Sequence, residues 1–110
     1  MREAIMSEVP RSYKELLLYA LKCAVDARGD IERLDIPQRK FRNLSRYYSA
    51  IEALIVVASP YLSNTEELLE KATEAWRSFN PESEAVGPTA RALDGVLREV
   101  VSQLVSAGAI

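Results

Sequence analysis

Six residues with side chains suited to binding an anion lie close together in sequence, between positions 33 and 47. They are five cations and one aromatic ring: Arg33, Arg39, Lys40, Arg42, Arg46 and Tyr47. Backbone N–H groups and guanidinium groups at the start of a helix together form a phosphate site. The 3-4 spacing of Arg39, Arg42 and Arg46 predicts one stripe that could follow a nucleic-acid backbone. Tyr47 could then stack on a base.

The position of this cluster carries an energetic cost. Pro37 predicts a helix start. Cations in the first turns of a helix interact unfavourably with the helix dipole, and each one lowers the stability of the helix by about 0.3–1 kcal/mol. Anion binding would explain such a placement. The alternative is that the arginines pair with acidic residues between Glu66 and Glu74, within one chain or across a dimer. Long arginine stems also cover apolar surface without any ligand.

The sequence lacks the residue patterns of the common catalytic, metal-binding and nucleotide-binding sites. The chain has no histidine and a single cysteine, Cys23, which excludes Ser-His and Cys-His nucleophiles and histidine-ligated metals. Its four glycines are isolated, so no phosphate-binding loop is present. Glu67, Glu70 and Glu74 share one side of a helix, but without histidines a solvated acidic face is the better interpretation. We therefore predict a non-enzyme without metal or cofactor, and Cys23 as a buried structural thiol.

Length and charge limit the function further. With 110 residues the chain is predicted to form one domain, residues 1–110. The net charge of -2 argues against a uniformly basic nucleic-acid binder. Ten basic and seven acidic residues precede position 49, and four and nine follow, which gives +3 and -5. No stretch resembles a signal peptide or a membrane span, which predicts a cytoplasmic protein. The excess of arginine over lysine suits a thermophilic source.

Helical periodicity recurs four times and provides the elements that would position these side chains. A first helix is expected from about Ser12 to Arg28, opened by a Ser12–Glu15 capping box and stopped by Gly29. Its many apolar residues predict that it is nearly enclosed. A second begins at Pro37 and ends before Pro60, with a 3-4 apolar seam. Phe41, Leu44, Tyr48, Ile51, Ile55 and Ala58 form that seam.

Two further helices follow. The third is expected to start at Ser63 or Asn64 and to carry Leu69, Ala72, Trp76 and Phe79 on one face, with a Glu67–Lys71 pair outside. The fourth begins near Pro88, after a loop over residues 80–87. It places an Asp94–Arg98 pair on its outer side. Its apolar face comprises Leu93, Leu97, Val100, Leu104 and Ala107.

Together these patterns predict an all-α fold, a four-helix bundle with mostly antiparallel helices. A short additional helix over Arg2 to Val9 is a further option. The apolar residues exceed the needs of one narrow seam per helix, which indicates either a well-enclosed core or a contact surface. The uncharged end from Ser102 to Ile110 is one candidate for that contact.

A short stretch resembles a known family. Residues 47–55, YYSAIEALI, resemble the second helix of HEPN-type bundles, small helical proteins of prokaryotes that are often RNases or partners of nucleotidyltransferases. The resemblance covers nine residues. The catalytic arginine–histidine pattern of that family has no counterpart in a chain without histidine, so the resemblance implies a non-catalytic relative. Size and helicity also resemble small helical subunits of CRISPR RNA-guided complexes, without a shared motif. Neither family is assigned.

Two functional hypotheses follow from the sequence. The first is a non-enzymatic helical interaction module that self-associates, as a homodimer, or docks on another protein as a subunit of a larger assembly. The second is an accessory protein that binds RNA or DNA through the basic cluster.

Overall fold

The helix-start signals in the sequence agree closely with the residues at which the helices begin. The computed structural model describes residues 12–33, 37–83 and 85–110. Over these residues the chain forms four α-helices and no strand: α1 Tyr13–Arg33, α2 Pro37–Ala58, α3 Thr65–Arg77 and α4 Gly87–Ser106. Two short 3-10 helices, Ser59–Tyr61 and Pro81–Ser83, stand before and after α3. The all-α prediction is confirmed, and the option of a helix over Arg2 to Val9 lies outside the described residues.

The prediction that Gly29 stops the first helix is wrong. The helix continues for a further turn to Arg33. Glycine inside a helix costs about 1 kcal/mol relative to alanine, and two interactions beyond Gly29 offset that cost. Ile31 is buried in the core, and Arg28 forms an i,i+4 ion pair with Glu32 at 3.3 Å. At the other end, the backbone N–H of Glu15 donates to Ser12 Oγ at 3.2 Å, which confirms the serine part of the capping box.

Side-chain contacts join each helix to the next one along the chain. Tyr13, which opens α1, donates its hydroxyl proton to the carbonyl of Val57 near the end of α2. Tyr48 of α2 stacks on Trp76, late in α3, with ring centroids 5.2 Å apart. Lys71 of α3 pairs with Glu99 in the second half of α4 at 3.6 Å. The mostly antiparallel arrangement stays a prediction.

All four helices contribute to the core, and α1 adds Leu17, Ala20, Ala24 and Ile31 to it from one side. Helix α2 contacts all three other helices, whereas α1 packs mainly against α2. The fully buried positions of α2 include Leu44, Ile51, Leu54 and Ile55. The Cα atoms span 44 × 39 × 16 Å. A thickness of 16 Å corresponds to about two layers of helices.

Helix α1 is not enclosed, contrary to the prediction from its apolar content. Leu17 is buried, but five other large apolar side chains of this helix are exposed. Their exposed fractions lie between 38% and 55%: Tyr13, Leu16, Leu18, Tyr19 and Val25. The reason is the number of neighbours, because a helix that packs mainly on one other helix buries only one side. Its remaining apolar residues face outward.

The end of α4 is closed by a glycine cap. Gly108 adopts a positive φ of 71°, which glycine reaches without steric cost. The N–H of Ala109 donates to the carbonyl of Leu104 at 2.9 Å, and that of Gly108 to Val105 at 3.0 Å. These two bonds are the Schellman pattern. Ala109 is thereby buried, while Val105 stays 58% exposed.

Candidate interaction surfaces

Helix α2 presents three of the predicted anion-binding residues on one side. With 3.6 residues per turn, Arg39, Arg42 and Arg46 fall within a narrow arc of the helix, over about 10 Å of its length. All three side chains are exposed. We call these three residues the arginine stripe. Lys40 lies about a quarter of a turn away and is half-buried, so it does not extend the stripe. Arg33 is the last residue of α1.

Tyr47 has no access to a base, so its predicted stacking role is wrong. Its ring is fully buried, and its hydroxyl donates to Asp94 Oδ1 of α4 at 2.5 Å. Burial raises the pKa of the Tyr47 hydroxyl well above its ordinary value, and the hydrogen bond to Asp94 adds to the increase. The phenol is therefore a structural donor inside the fold. It follows Arg46 in sequence but points about a quarter of a turn away.

The arginine stripe does not pair with the acidic residues of α3 within the chain. Across residues 12–33, 37–83 and 85–110, no ion pair involves Arg39, Arg42 or Arg46. On α3 the Glu67–Lys71 pair is confirmed at 3.2 Å. The hydrogen bond from Lys71 lowers the pKa of the Glu67 carboxyl below its usual range. Pairing of the stripe across a dimer stays an open alternative.

An open cleft of about 380 Å³ lies beside the stripe, between α1 and α2. Arg46 and Ser49 line it on the α2 side, and Asp26 and Asp30 on the α1 side. The two carboxylates lower the positive potential at this end of the stripe. The cleft also contains Cys23, which is half-buried rather than enclosed as predicted. An anion would therefore bind best near Arg39 and Arg42.

A second surface runs along one side of α1, about a quarter of a turn from the face that is buried in the core. Six residues repeat there with 4-3-4-3-4 spacing and therefore share one face of the helix. The middle is apolar and the ends are charged: Lys14, Leu18, Leu21, Val25, Arg28 and Glu32. We call this row the α1 seam. Leu18 and Val25 are 43% and 55% exposed, and Leu21 is half-buried against the core.

One end of the α1 seam is attached to α4 by a polar cluster that sequence reasoning missed. Arg28 Nε donates to Asp94 Oδ1 at 2.8 Å, and the same oxygen accepts the Tyr47 hydroxyl proton. Asp94 was expected to pair with Arg98 on the outside, but Arg98 contacts only the backbone carbonyl of Asp94, at 3.5 Å. One signal was available, since Asp94 lies between Leu93 and Leu97 at the edge of the apolar face. A carboxylate there needs a buried donor.

A second polar cluster joins α3 to α4. Asn64, which precedes α3, donates to Glu99 Oε1 at 3.0 Å and accepts from Gln103 Nε2 at 2.7 Å. Gln103 Oε1 in turn accepts the backbone N–H of Ser63 at 2.8 Å. These bonds fix the loop before α3 onto the last turns of α4. The cluster therefore has a structural role in connecting the two elements.

The described part of the chain has neither a cluster of potential metal ligands nor a membrane-spanning helix. No group of three or more Cys, Asp or Glu side chains there is arranged to hold a metal ion. None of the four helices is long and apolar enough to cross a bilayer.

Comparison with protein-family models, with curated proteins and with solved structures gave no match. Function is therefore inferred from the residues themselves.

Proposed function

We propose that this protein is a non-enzymatic helical interaction module that associates with a second copy of itself through the α1 seam. The observation that carries the proposal is the exposure of Leu18 and Val25 on the α1 seam. Complete burial of such a side chain is worth about 1.5–3 kcal/mol. A chain that leaves this row exposed gains stability when another surface covers it.

The shape of the seam supports a helical partner. Apolar residues at positions i, i+3 and i+7 are the anchors by which one helix packs along another. Leu18, Leu21 and Val25 have this spacing, and Gly29 lies at the edge of the row with no side chain to obstruct a neighbour. A second α1 helix offers the same anchors, so two copies are self-complementary.

Multi-angle light scattering from micromolar to near-millimolar concentration tests this proposal. We expect the mass to approach that of a dimer as concentration rises. Leu18→Asp and Val25→Asp should each shift the transition to higher concentration by at least tenfold, because a carboxylate would be desolvated in the contact. Val56→Asp is the matched control, since Val56 is 61% exposed on α2 and lies off the seam. A strict monomer at every concentration would rule the proposal out.

A second candidate function is binding of a polyanion such as RNA or DNA by the arginine stripe. One observation favours it: three guanidinium groups are exposed on one face of α2 and form no ion pair with the described residues. Phosphate contacts of this kind are independent of sequence and weaken steeply with salt. Three contacts provide weak, non-specific affinity, which suits an accessory role.

Fluorescence anisotropy with labelled single-stranded RNA and duplex DNA at two salt concentrations tests this second function. We expect binding at low salt with a logarithmic salt slope of about -2 to -3, for about three phosphate contacts. The variant Arg39→Ala/Arg42→Ala/Arg46→Ala should lose it. The variant Lys22→Ala/Arg77→Ala/Arg91→Ala removes the same charge from exposed positions elsewhere and should retain it. An equal loss of affinity in both variants would show that binding depends only on net charge, and would contradict a binding site at the arginine stripe.

A further inference from the structure

The α1 seam carries opposite charges at its two ends, and this polarity defines how a second copy fits. We infer that two copies pack through their α1 seams in an antiparallel arrangement, with Lys14 of each copy opposite Glu32 of the other. This inference rests on the proposed self-association and specifies its geometry. Both side chains are exposed, the Glu32 side chain by 73%. Glu32 also pairs with Arg28 of its own helix at 3.3 Å, so Lys14 of the second copy would join an existing pair through the exposed part of the carboxylate.

The spacing of the seam gives the register. In an antiparallel pair with Lys14 opposite Glu32, the apolar middle also falls into layers, so that Leu21 faces Val25 of the second copy. Leu18 then faces the aliphatic stem of Arg28, whose guanidinium is held at Asp94 and cannot swing into the contact. All six positions therefore have a compatible counterpart in one register.

A parallel arrangement fails on charge. It would place Lys14 beside Lys14 and Glu32 beside Glu32 of the second copy, and like charges at facing positions are destabilising. Displacing the antiparallel register by one heptad would place Lys14 or Glu32 against an apolar anchor and leave the far end of the seam unpaired. Charge complementarity thus selects one orientation and one register.

Charge exchange at the two ends tests the inference. Lys14→Glu and Glu32→Lys should each raise the dimer dissociation constant by about tenfold, because two symmetry-related pairs become repulsive. The double variant Lys14→Glu/Glu32→Lys should restore the original value. The two positions are 18 residues apart, about 27 Å along one helix, so restoration cannot arise within a single copy. Arg77→Glu on the exposed surface of α3 changes the net charge by the same amount as Lys14→Glu and should leave dimerisation unchanged.

A disulfide experiment provides a second measurement with a positive readout. With Cys23 replaced by serine, a mixture of the Leu21→Cys and Val25→Cys proteins should form a mixed disulfide on oxidation. Each protein alone should remain largely unlinked. Self-linking of either protein alone, or a double charge variant that is no tighter than the single ones, would overturn the antiparallel seam while leaving self-association intact. A wild-type chain that is always monomeric would overturn both.

Discussion

The phenol of Tyr47 and the guanidinium of Arg28 converge on one carboxylate oxygen, that of Asp94, and so three helices meet at a single acceptor. Tyr47 belongs to α2, Arg28 to α1 and Asp94 to α4. A carboxylate with two donors is well compensated for its partial burial. Since α1 has few other contacts with α4, this cluster is a main connection between these two helices.

Replacing Tyr47 by phenylalanine should lower the free energy of unfolding by about 1–3 kcal/mol at neutral pH, the usual effect of losing a hydrogen bond to a charged group. Urea unfolding followed by circular dichroism measures the change. Tyr61→Phe, at an exposed ring, should stay within about 0.5 kcal/mol of the wild type. An effect of Tyr47→Phe as small as that of Tyr61→Phe would show that the buried hydroxyl is not important for stability.

The same hydroxyl should make the protein sensitive to alkali. In the unfolded chain the Tyr47 hydroxyl ionises near pH 10, whereas the folded pKa is raised. The unfolded state therefore loses a proton first, and stability falls as the pH rises above about 10. Over that window the wild type should lose about 1.4 kcal/mol per pH unit more than Tyr47→Phe does. Parallel stability curves for the two proteins between pH 9 and 11.5 would contradict this expectation.

At the scale of the helices, boundaries could be predicted from the sequence because their signals are local. Ser12, Pro37 and Pro88 mark helix starts through hydrogen bonds and φ restrictions that involve only the nearest residues. Gly29 was misinterpreted because its local preference is outweighed by the burial of Ile31, which depends on tertiary packing. Local signals are reliable where no distant contact opposes them.

Two glycines of α4 should respond in opposite ways to replacement by alanine. Gly95 lies inside the helix, and a Cβ there would meet no atom within 4 Å. Gly95→Ala should therefore stabilise the protein by about 0.5–1 kcal/mol through helix propensity. Gly108→Ala should destabilise it by about 1 kcal/mol, because the residue has a positive φ. Thermal unfolding of both variants checks the pair, and a loss of stability in Gly95→Ala would contradict the expected role of helix propensity.

At the scale of the whole molecule, the sequence could not reveal how many neighbours each helix has. Its apolar content predicted that α1 is enclosed, yet Leu16, Leu18 and Val25 are exposed. Periodicity identifies which side of a helix is apolar, but it does not distinguish a partner in the same chain from a partner in another one. The same limit applies to the candidate sites. The arginine stripe could be predicted from spacing. The donors to Asp94 could not, because Tyr47 and Arg28 lie 47 and 66 residues away from it in sequence.

The 16 Å thickness of the fold also governs how the protein moves through solvent. A plate experiences more friction than a sphere of equal mass, so this chain should diffuse and tumble more slowly than its 12.3 kDa suggest. Its elution from a sizing column would overestimate its mass. If two copies paired edge to edge, the plate would become longer at the same thickness, and the rotational correlation time would rise by more than the twofold gain in mass.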